Sequence, residues 1–413
     1  MSTKSSQLFR KFFGFSLIPI IGAMSPLLVL PFVSRIGGID IWASVGVSQS
    51  IGTIGAVVVS SGWTVAGPAR LALAEDSSEQ ARIYCRAFWS KSVILAPASI
   101  LSCIIVAIIL PDMSLTFPLL LTVAMVYSGY SVSWFGVGIG SPRITLNYGT
   151  LPKILASIFA IVPIITTRNV VWYPISLLVG TTIGLALLHL HLFSSILPPW
   201  ITFGELQDTL RSSISPAIID VASSAASMAP VPVVAAVTDS IRAAQFSSMD
   251  KVFRYALFSV TALSDTLQSW VLERNARFTK RISFALLLHV VLGLLGLSIL
   301  LLAGSQVSSL LFGAEVAASA SIALPYGFAF FAKSLSVSLI RNIVIPSNRA
   351  KTMALMNVTA SILCSIVMVA IATQVASSNG SSVAWVYATY ELLVFACATI
   401  ITYQQARRGG MLP

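Results

Sequence analysis

The chain is predicted to be an all-α membrane protein that crosses the bilayer about twelve times. Of its 413 residues, 56% are hydrophobic and only 9% are charged, and the mean hydropathy is +0.90. Soluble domains carry about 25% charged residues, so this composition excludes them. Apolar stretches of roughly 20 residues, the length at which a helix spans a bilayer, recur from one end of the sequence to the other.

The first of these stretches follows a basic N-terminus and resembles a signal peptide. It is too long for the apolar region of such a peptide, contains Pro19, Pro26 and Pro31, and has no small-residue cleavage site, so we interpret it as a span. The twelve predicted spans are 12–33, 41–66, 92–110, 115–137, 152–167, 171–196, 212–237, 251–272, 282–303, 320–345, 352–375 and 383–403.

The spans divide into two halves of six, residues 1–211 and 212–413, with a short helical linker predicted at 67–90. A shift of 204 residues superimposes several residues of the first half on similar residues of the second. The pairs are Pro26 with Pro230, Trp42 with Phe246, Arg70 with Arg274, and Pro142 with Pro346. Because each half has an even number of spans, the sequence predicts two six-helix bundles that run parallel through the membrane.

The basic residues predict the orientation of the chain. With twelve spans both termini lie on one side, and nineteen of the 25 Lys and Arg residues fall there. Five fall on the other side and Lys333 lies within a span; the five are Arg35, Arg168, Arg242, Lys251 and Arg254. Lys and Arg are enriched in cytoplasmic loops, so both termini are predicted to be cytoplasmic and the protein to lie in the cell membrane. The net charge of +11 then reports insertion rather than nucleic-acid binding.

The residues that bind metals or cofactors form no pattern in this sequence. Its four cysteines are dispersed, and His189, His191 and His289 do not have the i,i+3 or i,i+4 spacing of helical metal ligands. We therefore predict neither a metal site nor a cofactor.

Span seven carries the strongest functional signal. It contains Pro216, Pro230, Pro232 and an acid, Asp220. A proline leaves a backbone carbonyl without its helical hydrogen bond, and within a membrane this is tolerated only where protein or a water-filled cavity binds that carbonyl. Charged residues within a span usually face an interior path. This combination indicates a transporter rather than a passive anchor.

Three segments resemble bacterial polysaccharide flippases of the Wzx type, within the multidrug/oligosaccharidyl-lipid/polysaccharide exporter superfamily. LPFVSRIGGIDIWASVGVSQSI (30–51) is similar to their span-one exit, and SWFGVGIGSPRITLNYGTLPKILA (133–156) to their aromatic turn between spans four and five. AAQFSSMDKVFRYALFSVTALSDTLQSWV (243–271) resembles their span-eight opening. The resemblance implies a MATE-like fold, with two bundles around a central cavity that opens alternately to each side.

The resemblance also implies a cargo and partners. The cargo is an oligosaccharide on a polyprenyl pyrophosphate, whose sugar and phosphates enter the cavity while the lipid tail stays among the membrane lipids. A polysaccharide polymerase and glycosyltransferases are the expected partners.

Five residues are candidates for binding this cargo: Arg35, Lys251, Arg254, Lys333 and Trp134. Lys251 and Arg254, three apart on one helix face, suit the pyrophosphate or an acidic sugar. Alternatively they are interfacial anchors, with Asp250 paired to Arg254, and Arg35 has the same alternative. Lys333 either holds a phosphate or neutralises a membrane acid, and Trp134 is a candidate for stacking on a sugar.

Three acids within spans are candidates for coupling transport to protons or sodium: Asp220, Asp265 and Glu391. A lone acid in a membrane span costs a few kcal/mol, so it is protonated, paired or hydrated. The alternative is a structural bond to a neighbouring helix.

Three functions compete. A flippase suits the basic candidates, whereas an ion-coupled exporter of small molecules or drugs suits the acids. A membrane glycosyltransferase or polymerase requires acid and base groups on a sizeable outer loop. The predicted outer loops are short and contain no His, so we expect no enzyme.

Overall fold

The described residues form helices that belong to two units of the chain. The computed structural model describes residues 22, 25–271, 278–347, 349–375 and 380–407. An N-terminal unit covers Met1–Ser224 and a C-terminal unit covers Ala225–Pro413. No strand occurs in the described ranges.

The helices of the N-terminal unit are joined by short turns. They are α1 (Leu30–Ser60), α2 (Trp63–Ala72), α3 (Ser77–Ile109), α4 (Thr116–Tyr127), α5 (Ser133–Gly138), α6 (Leu151–Thr167) and α7 (Trp172–Phe193). A 3₁₀ turn lies at Ser25–Leu28 and another at Ser128–Tyr130, a helical turn at Pro142–Ile144, and a π-helical segment at Thr145–Thr150. The next helix, α8 (Phe203–Met228), runs past the boundary between the units.

The helices of the C-terminal unit are longer and follow a similar order. They are α9 (Pro230–Val237), α10 (Ser240–Val271), α11 (Phe278–Phe312), α12 (Ala320–Leu339), α13 (Ala350–Val375) and α14 (Ser381–Arg407). A 3₁₀ turn lies at Ala314–Val316 and a π-helical segment at Ile340–Val344.

Nine helical stretches in the described ranges are long and apolar enough to span a membrane, or ten if the bent pair 216–228 and 230–237 is one span. Two of the twelve predicted spans are not among them. The first, 12–33, lies mostly outside the described residues. The eighth forms α10, which carries five charged residues. The chain is therefore an all-α, multi-pass membrane protein, as predicted.

Helix α1 is interrupted between the first two predicted spans, 12–33 and 41–66. Gly38 has φ 75° and ψ −171°, which interrupts the helix, and this backbone region is accessible almost only to glycine. A second break precedes Pro230, where α8 and α9 meet at 49°. Proline cannot donate the helical hydrogen bond, which explains the bend.

Two pairs of long helices, one member in each unit, have similar lengths. The long helix α1 has 31 residues and α10 has 32, and the next long helices, α3 and α11, have 33 and 35. Trp42 and Phe246, which the shift of 204 residues superimposes, are both fully buried in their own units. Arg274, the predicted equivalent of Arg70, lies outside the described residues.

The predicted linker at 67–90 is largely helical. Asp76 caps α3 by accepting a hydrogen bond from the backbone N–H of Glu79, while the carboxylate of Glu79 accepts one from the N–H of Glu75. This reciprocal arrangement starts the helix fifteen residues before the predicted span at 92. Because the Asp76 carboxylate accepts these bonds from Glu79 and from Ser78, its pKa lies below its usual value.

Candidate functional site

The basic side chain of Arg254 is held by an acid on the same helix, α10. Its Nε lies 2.5 Å from Oδ2 of Asp250 and its Nη2 lies 3.0 Å from Oδ1. Nη2 also donates to the carbonyl of Ser227 at 2.6 Å. The hydroxyl of Tyr326 on α12 donates to Asp250 at 3.0 Å. The i,i+4 pair that the sequence left as an alternative is therefore present, within the C-terminal unit.

Lys251, adjacent to this pair, is buried as well. The sequence placed Lys251 and Arg254 near the outer end of a span, where an anchor would reach the lipid headgroups. In the structure the Lys251 side chain packs inside the C-terminal unit instead. Two basic side chains of α10, Lys251 and Arg254, thus accompany one acid, Asp250, in this part of the unit.

A second ion pair joins α12 to α14. Nζ of Lys333 lies 3.2 Å from Oε1 of Glu391, which also accepts a hydrogen bond of 3.0 Å from Tyr387. The side chain of Glu391 is 0% exposed, whereas that of Lys333 is 32% exposed. In the described part of the chain, Oε2 of Glu391 has no hydrogen-bond partner. Lys333 thus neutralises a membrane acid and still reaches an accessible surface.

Aromatic rings connect the two pairs. Tyr326, which binds Asp250, lies 5.9 Å from Tyr387, which binds Glu391, measured between ring centroids. Phe253 contacts both, at 5.0 and 5.7 Å. The basic and acidic groups of α10, α12 and α14 therefore form one buried polar network surrounded by aromatic side chains. We call it the C-terminal network and define it by Asp250, Arg254, Lys333 and Glu391 with Tyr326 and Tyr387.

The third membrane acid of this unit, Asp265, is also paired. The guanidinium of Arg341 contacts its carboxylate. Arg341 lies on the π-helical segment 340–344, where an extra residue per turn shifts the side chain around the helix axis. The sequence assigned Arg341 to the cytoplasmic charges and did not foresee this partner.

Asp220 in the N-terminal unit has a different environment. In the described ranges its one hydrogen bond comes from the hydroxyl of Thr64, at 3.4 Å, and it has no basic partner. It lines a cavity of 360 Å³ together with hydroxyl side chains of α1, α8 and the turn after α4. The acid is therefore neither fully buried nor paired.

The other two candidates lie apart from these groups. The Trp134 ring is 4% exposed and packs on Trp63 and Tyr84, with centroids 5.2 and 6.3 Å away. Its faces are occupied by protein, so we leave it out of the proposed binding set. Arg35 is exposed on α1, three residues before the interruption at Gly38.

Sequence reasoning missed a buried lysine, Lys91, on α3. It is 2% exposed, donates a hydrogen bond of 3.1 Å to the carbonyl of Gly129, and lies 5.5 Å from the centre of the Trp134 ring. No local pattern distinguishes this lysine from an exposed one, because Lys91 stands at the edge of a predicted span between two serines.

Sequence reasoning also missed a cluster that ties α3 to the start of α8. The carboxylate of Glu205 contacts Arg82 at 2.5 Å and Arg86 at 2.8 Å, and accepts from the backbone N–H of Thr202 at 3.1 Å. The bonds from Arg86, Thr202 and Arg82 lower the pKa of Glu205 to about 2. The Thr-x-x-Glu pattern at 202–205 is a capping box and was readable as a helix start.

No group of three His, Cys, Asp or Glu side chains in the described ranges is arranged to hold a metal ion. The four cysteines, Cys85, Cys103, Cys364 and Cys397, are free.

The chain is similar to known proteins in its structure. No protein-family model matches the chain, and no curated sequence matches it. An inward-facing multidrug-resistance MATE family transporter of the MOP superfamily shares 14% identity at a TM-score of 0.64, with 96% of this chain and 98% of that chain covered. A eukaryotic MATE transporter shares 14% identity at a TM-score of 0.60, with 97% of this chain and 98% of that chain covered. A MATE transporter from Vibrio cholerae shares 13% identity at a TM-score of 0.50, with 99% of each chain covered.

These similarities show that the chain has the MATE fold over nearly its whole length, which confirms the predicted fold class. At 13–14% identity they show the fold and leave cargo and mechanism open.

Proposed function

We propose that the protein is an alternating-access transporter that moves a polyprenyl-pyrophosphate-linked oligosaccharide from the cytoplasmic to the outer leaflet. The fold supports the general class, because the similar structures are those of transporters. The cargo is argued from the charges of the C-terminal unit. The proposed setting is the cell membrane with both termini in the cytoplasm, beside a polymerase and glycosyltransferases that handle the same lipid-linked sugar.

The observation that carries this proposal is the pairing of every candidate acid of the C-terminal unit. Asp265 is paired with Arg341 and Glu391 with Lys333, and Asp250 is paired with Arg254. Lys251 adds a further buried positive charge. A pocket for cationic drugs requires carboxylates free to meet the drug, and these three are occupied by protein cations. The positive balance favours an anionic cargo such as a pyrophosphate.

Lys333 is well placed among these cations for direct contact with cargo. Its side chain is about one-third exposed, whereas its partner Glu391 is fully buried. An arriving phosphate can therefore share the ammonium group with Glu391 without first uncovering it. Arg35, exposed on α1, remains a second proposed contact.

An ion-coupled exporter of small molecules is the second candidate, and Asp220 favours it. Asp220 is a membrane acid without a basic partner in the described ranges, which is the property expected of a residue that binds a proton or sodium. The same acid could couple a flippase to an ion gradient, so Asp220 does not decide between the two cargoes.

A transport assay separates the two functions. Protein is reconstituted into liposomes that contain polyprenyl-pyrophosphate saccharides, and an added glycosidase reports which saccharides reach the outer face. The variant Lys251→Met removes the buried charge while keeping side-chain length, and Lys351→Met is the matched control because Lys351 is exposed. A flippase exposes saccharide in the wild type and the control, and more slowly in Lys251→Met.

The opposite result would be transport of a cationic dye under a proton or sodium gradient with no movement of lipid-linked saccharide. That outcome would establish the exporter and overturn the proposed cargo.

A further inference from the structure

The cavity around Asp220 has a lining suited to recognising hydroxyl groups. In the described ranges Asp220 is its single charged lining residue. The other polar groups are serine and threonine hydroxyls, contributed by α1, by the turn after α4 and by α8. Thr53, Ser131 and Ser224 represent the three elements, and Thr64 of α2 adds a further hydroxyl. The cavity therefore combines one strong acceptor with several groups that both donate and accept hydrogen bonds.

The hydrogen-bonding capacity of Asp220 is largely unused by the protein. Thr64 donates to Oδ2 at the long distance of 3.4 Å, and the described residues provide no ion pair. A carboxylate accepts about four hydrogen bonds through its two oxygens. Asp220 can therefore receive hydrogen bonds from a ligand without giving up a protein partner, unlike Asp250 and Glu391 in the other unit.

The size of the cavity indicates a ligand larger than an ion. Its volume of 360 Å³ is about twelve times the ~30 Å³ that one water molecule occupies in the liquid. A hexose ring with its hydroxyl groups has about as many heavy atoms as this volume of liquid has water molecules. The volume also lies within the range of about 300–1,000 Å³ found for small-molecule pockets. A coordinated cation needs only its nearest oxygen ligands and would leave most of this space to water.

We propose that this cavity binds a sugar unit of the transported saccharide, with Asp220 accepting hydrogen bonds from two neighbouring hydroxyls of the ring. The serine and threonine hydroxyls then bind the remaining ring oxygens. The proposal rests on the proposed flippase function and assigns the subsite that selects the sugar.

The position of the cavity along the chain fits a loading site. It is formed by the last two turns of α1, by Thr64 at the start of α2, by the turn after α4, and by residues 220–224 in the last third of α8. In the predicted orientation each of these lies toward the cytoplasmic end of its span. A lipid-linked saccharide assembled in the cytoplasm would reach this cavity early in its passage.

Binding can be measured by saturation-transfer difference NMR on the purified full-length protein, which detects sugars bound in the millimolar range. The detergent must carry no sugar headgroup, because alkyl maltosides would compete for the cavity. The probes are neutral hexoses, N-acetylhexosamines and their disaccharides. A short-chain isoprenyl-pyrophosphate disaccharide serves as the competitor that represents the cargo.

Three variants make the test specific. Asp220→Ala removes the principal acceptor and is expected to weaken binding roughly 10- to 100-fold, the value of hydrogen bonds to a charged group. Thr64→Val keeps the shape but removes one hydroxyl, and is expected to weaken binding about two- to tenfold. Asp208→Asn is the control, because Asp208 is exposed on the same helix and outside the cavity.

The inference is supported if at least one probe binds, if the competitor displaces it, and if the variants follow this order. It is overturned if no sugar binds, if binding survives in Asp220→Ala, or if the short-chain cargo does not compete. It is also overturned if sodium, compared with potassium, stabilises the wild type but not Asp220→Ala while no sugar binds, since the cavity would then be a cation site. Flipping without sugar binding here would refute the subsite alone, and sugar binding without flipping would refute the proposed function alone.

Discussion

The buried ion pair between Lys333 and Glu391 predicts an asymmetric response to mutation. At the observed separation of 3.2 Å and an effective dielectric constant of about 20, two unit charges attract by about 5 kcal/mol. Desolvation offsets much of this attraction, so the pair adds little net stability. Removing only one of the two charges is costly, because the charge that remains loses its partner.

The two sides are not equivalent. Lys333→Met leaves the carboxylate of Glu391, 0% exposed, inside the unit with Tyr387 as its one remaining partner among the described residues. Breaking a buried pair in this way costs about 3–5 kcal/mol. Glu391→Gln leaves an ammonium group that is already 32% exposed and can be hydrated. Its expected cost is about 1.5–3 kcal/mol, the value of a hydrogen bond to a charged group.

The decisive measurement is the double variant. Lys333→Met with Glu391→Gln removes both charges, so it should be more stable than Lys333→Met alone. Reversible unfolding in mixed detergent micelles, followed by near-UV circular dichroism, gives the free energy of each variant, with Lys351→Met as the exposed-lysine control. If the double variant costs the sum of the two single variants, the side chains act independently and the ion pair does not determine the stability of this network.

Three further perturbations follow from local geometry. The pKa of Glu205 is lowered to about 2, so its bonds stabilise the protein at pH values above the unfolded pKa of about 4.3, and this stability is lost as pH falls toward 2. The difference in melting temperature between wild type and Glu205→Gln should therefore shrink between pH 5 and pH 3. A constant difference would contradict this. Gly184→Ala brings a Cβ against the backbone oxygen of Tyr148 and should cost about 1–3 kcal/mol. The control Gly204→Ala meets no atom within 4 Å and should be close to neutral. Equal melting temperatures for the two variants would refute the assigned packing. Gly38→Ala should cost about 1–3 kcal/mol through backbone strain alone, because φ is 75° and the new Cβ has open space around it. An unchanged free energy of unfolding would show that the backbone at the break in α1 relaxes to a conformation that alanine adopts without strain.

The candidate residues show where sequence reasoning succeeded and where it could not. The i,i+4 spacing predicted the pairing of Asp250 with Arg254, because residues four apart on a helix are neighbours. The partner of Asp265 is Arg341, 76 residues away in the chain. Such a contact depends on how helices pack and on the offset of a π-helical segment, and no local pattern encodes it.

Burial is the other property that sequence reasoning could not supply. Trp134 and Lys91 are both amphipathic side chains near predicted span ends, where they usually face the membrane interface. Both are instead enclosed by α3, α5 and their neighbours, at 4% and 2% exposure. The hydrophobicity of a span shows that it lies in the membrane but does not show which of its faces meets lipid and which meets protein.

The sequence by itself determined that the chain is an all-α, multi-pass membrane protein. Bilayer thickness and the need to satisfy every backbone hydrogen bond leave no other structure for such apolar stretches. It also identified Asp220, Asp265 and Glu391 as acids within spans. The tertiary structure alone decided which of them are neutralised: Asp265 and Glu391 meet cations from other helices, and Asp220 meets a cavity lined with hydroxyls. The physical reason is that charge pairing across helices depends on distances of a few ångströms between segments far apart in the chain.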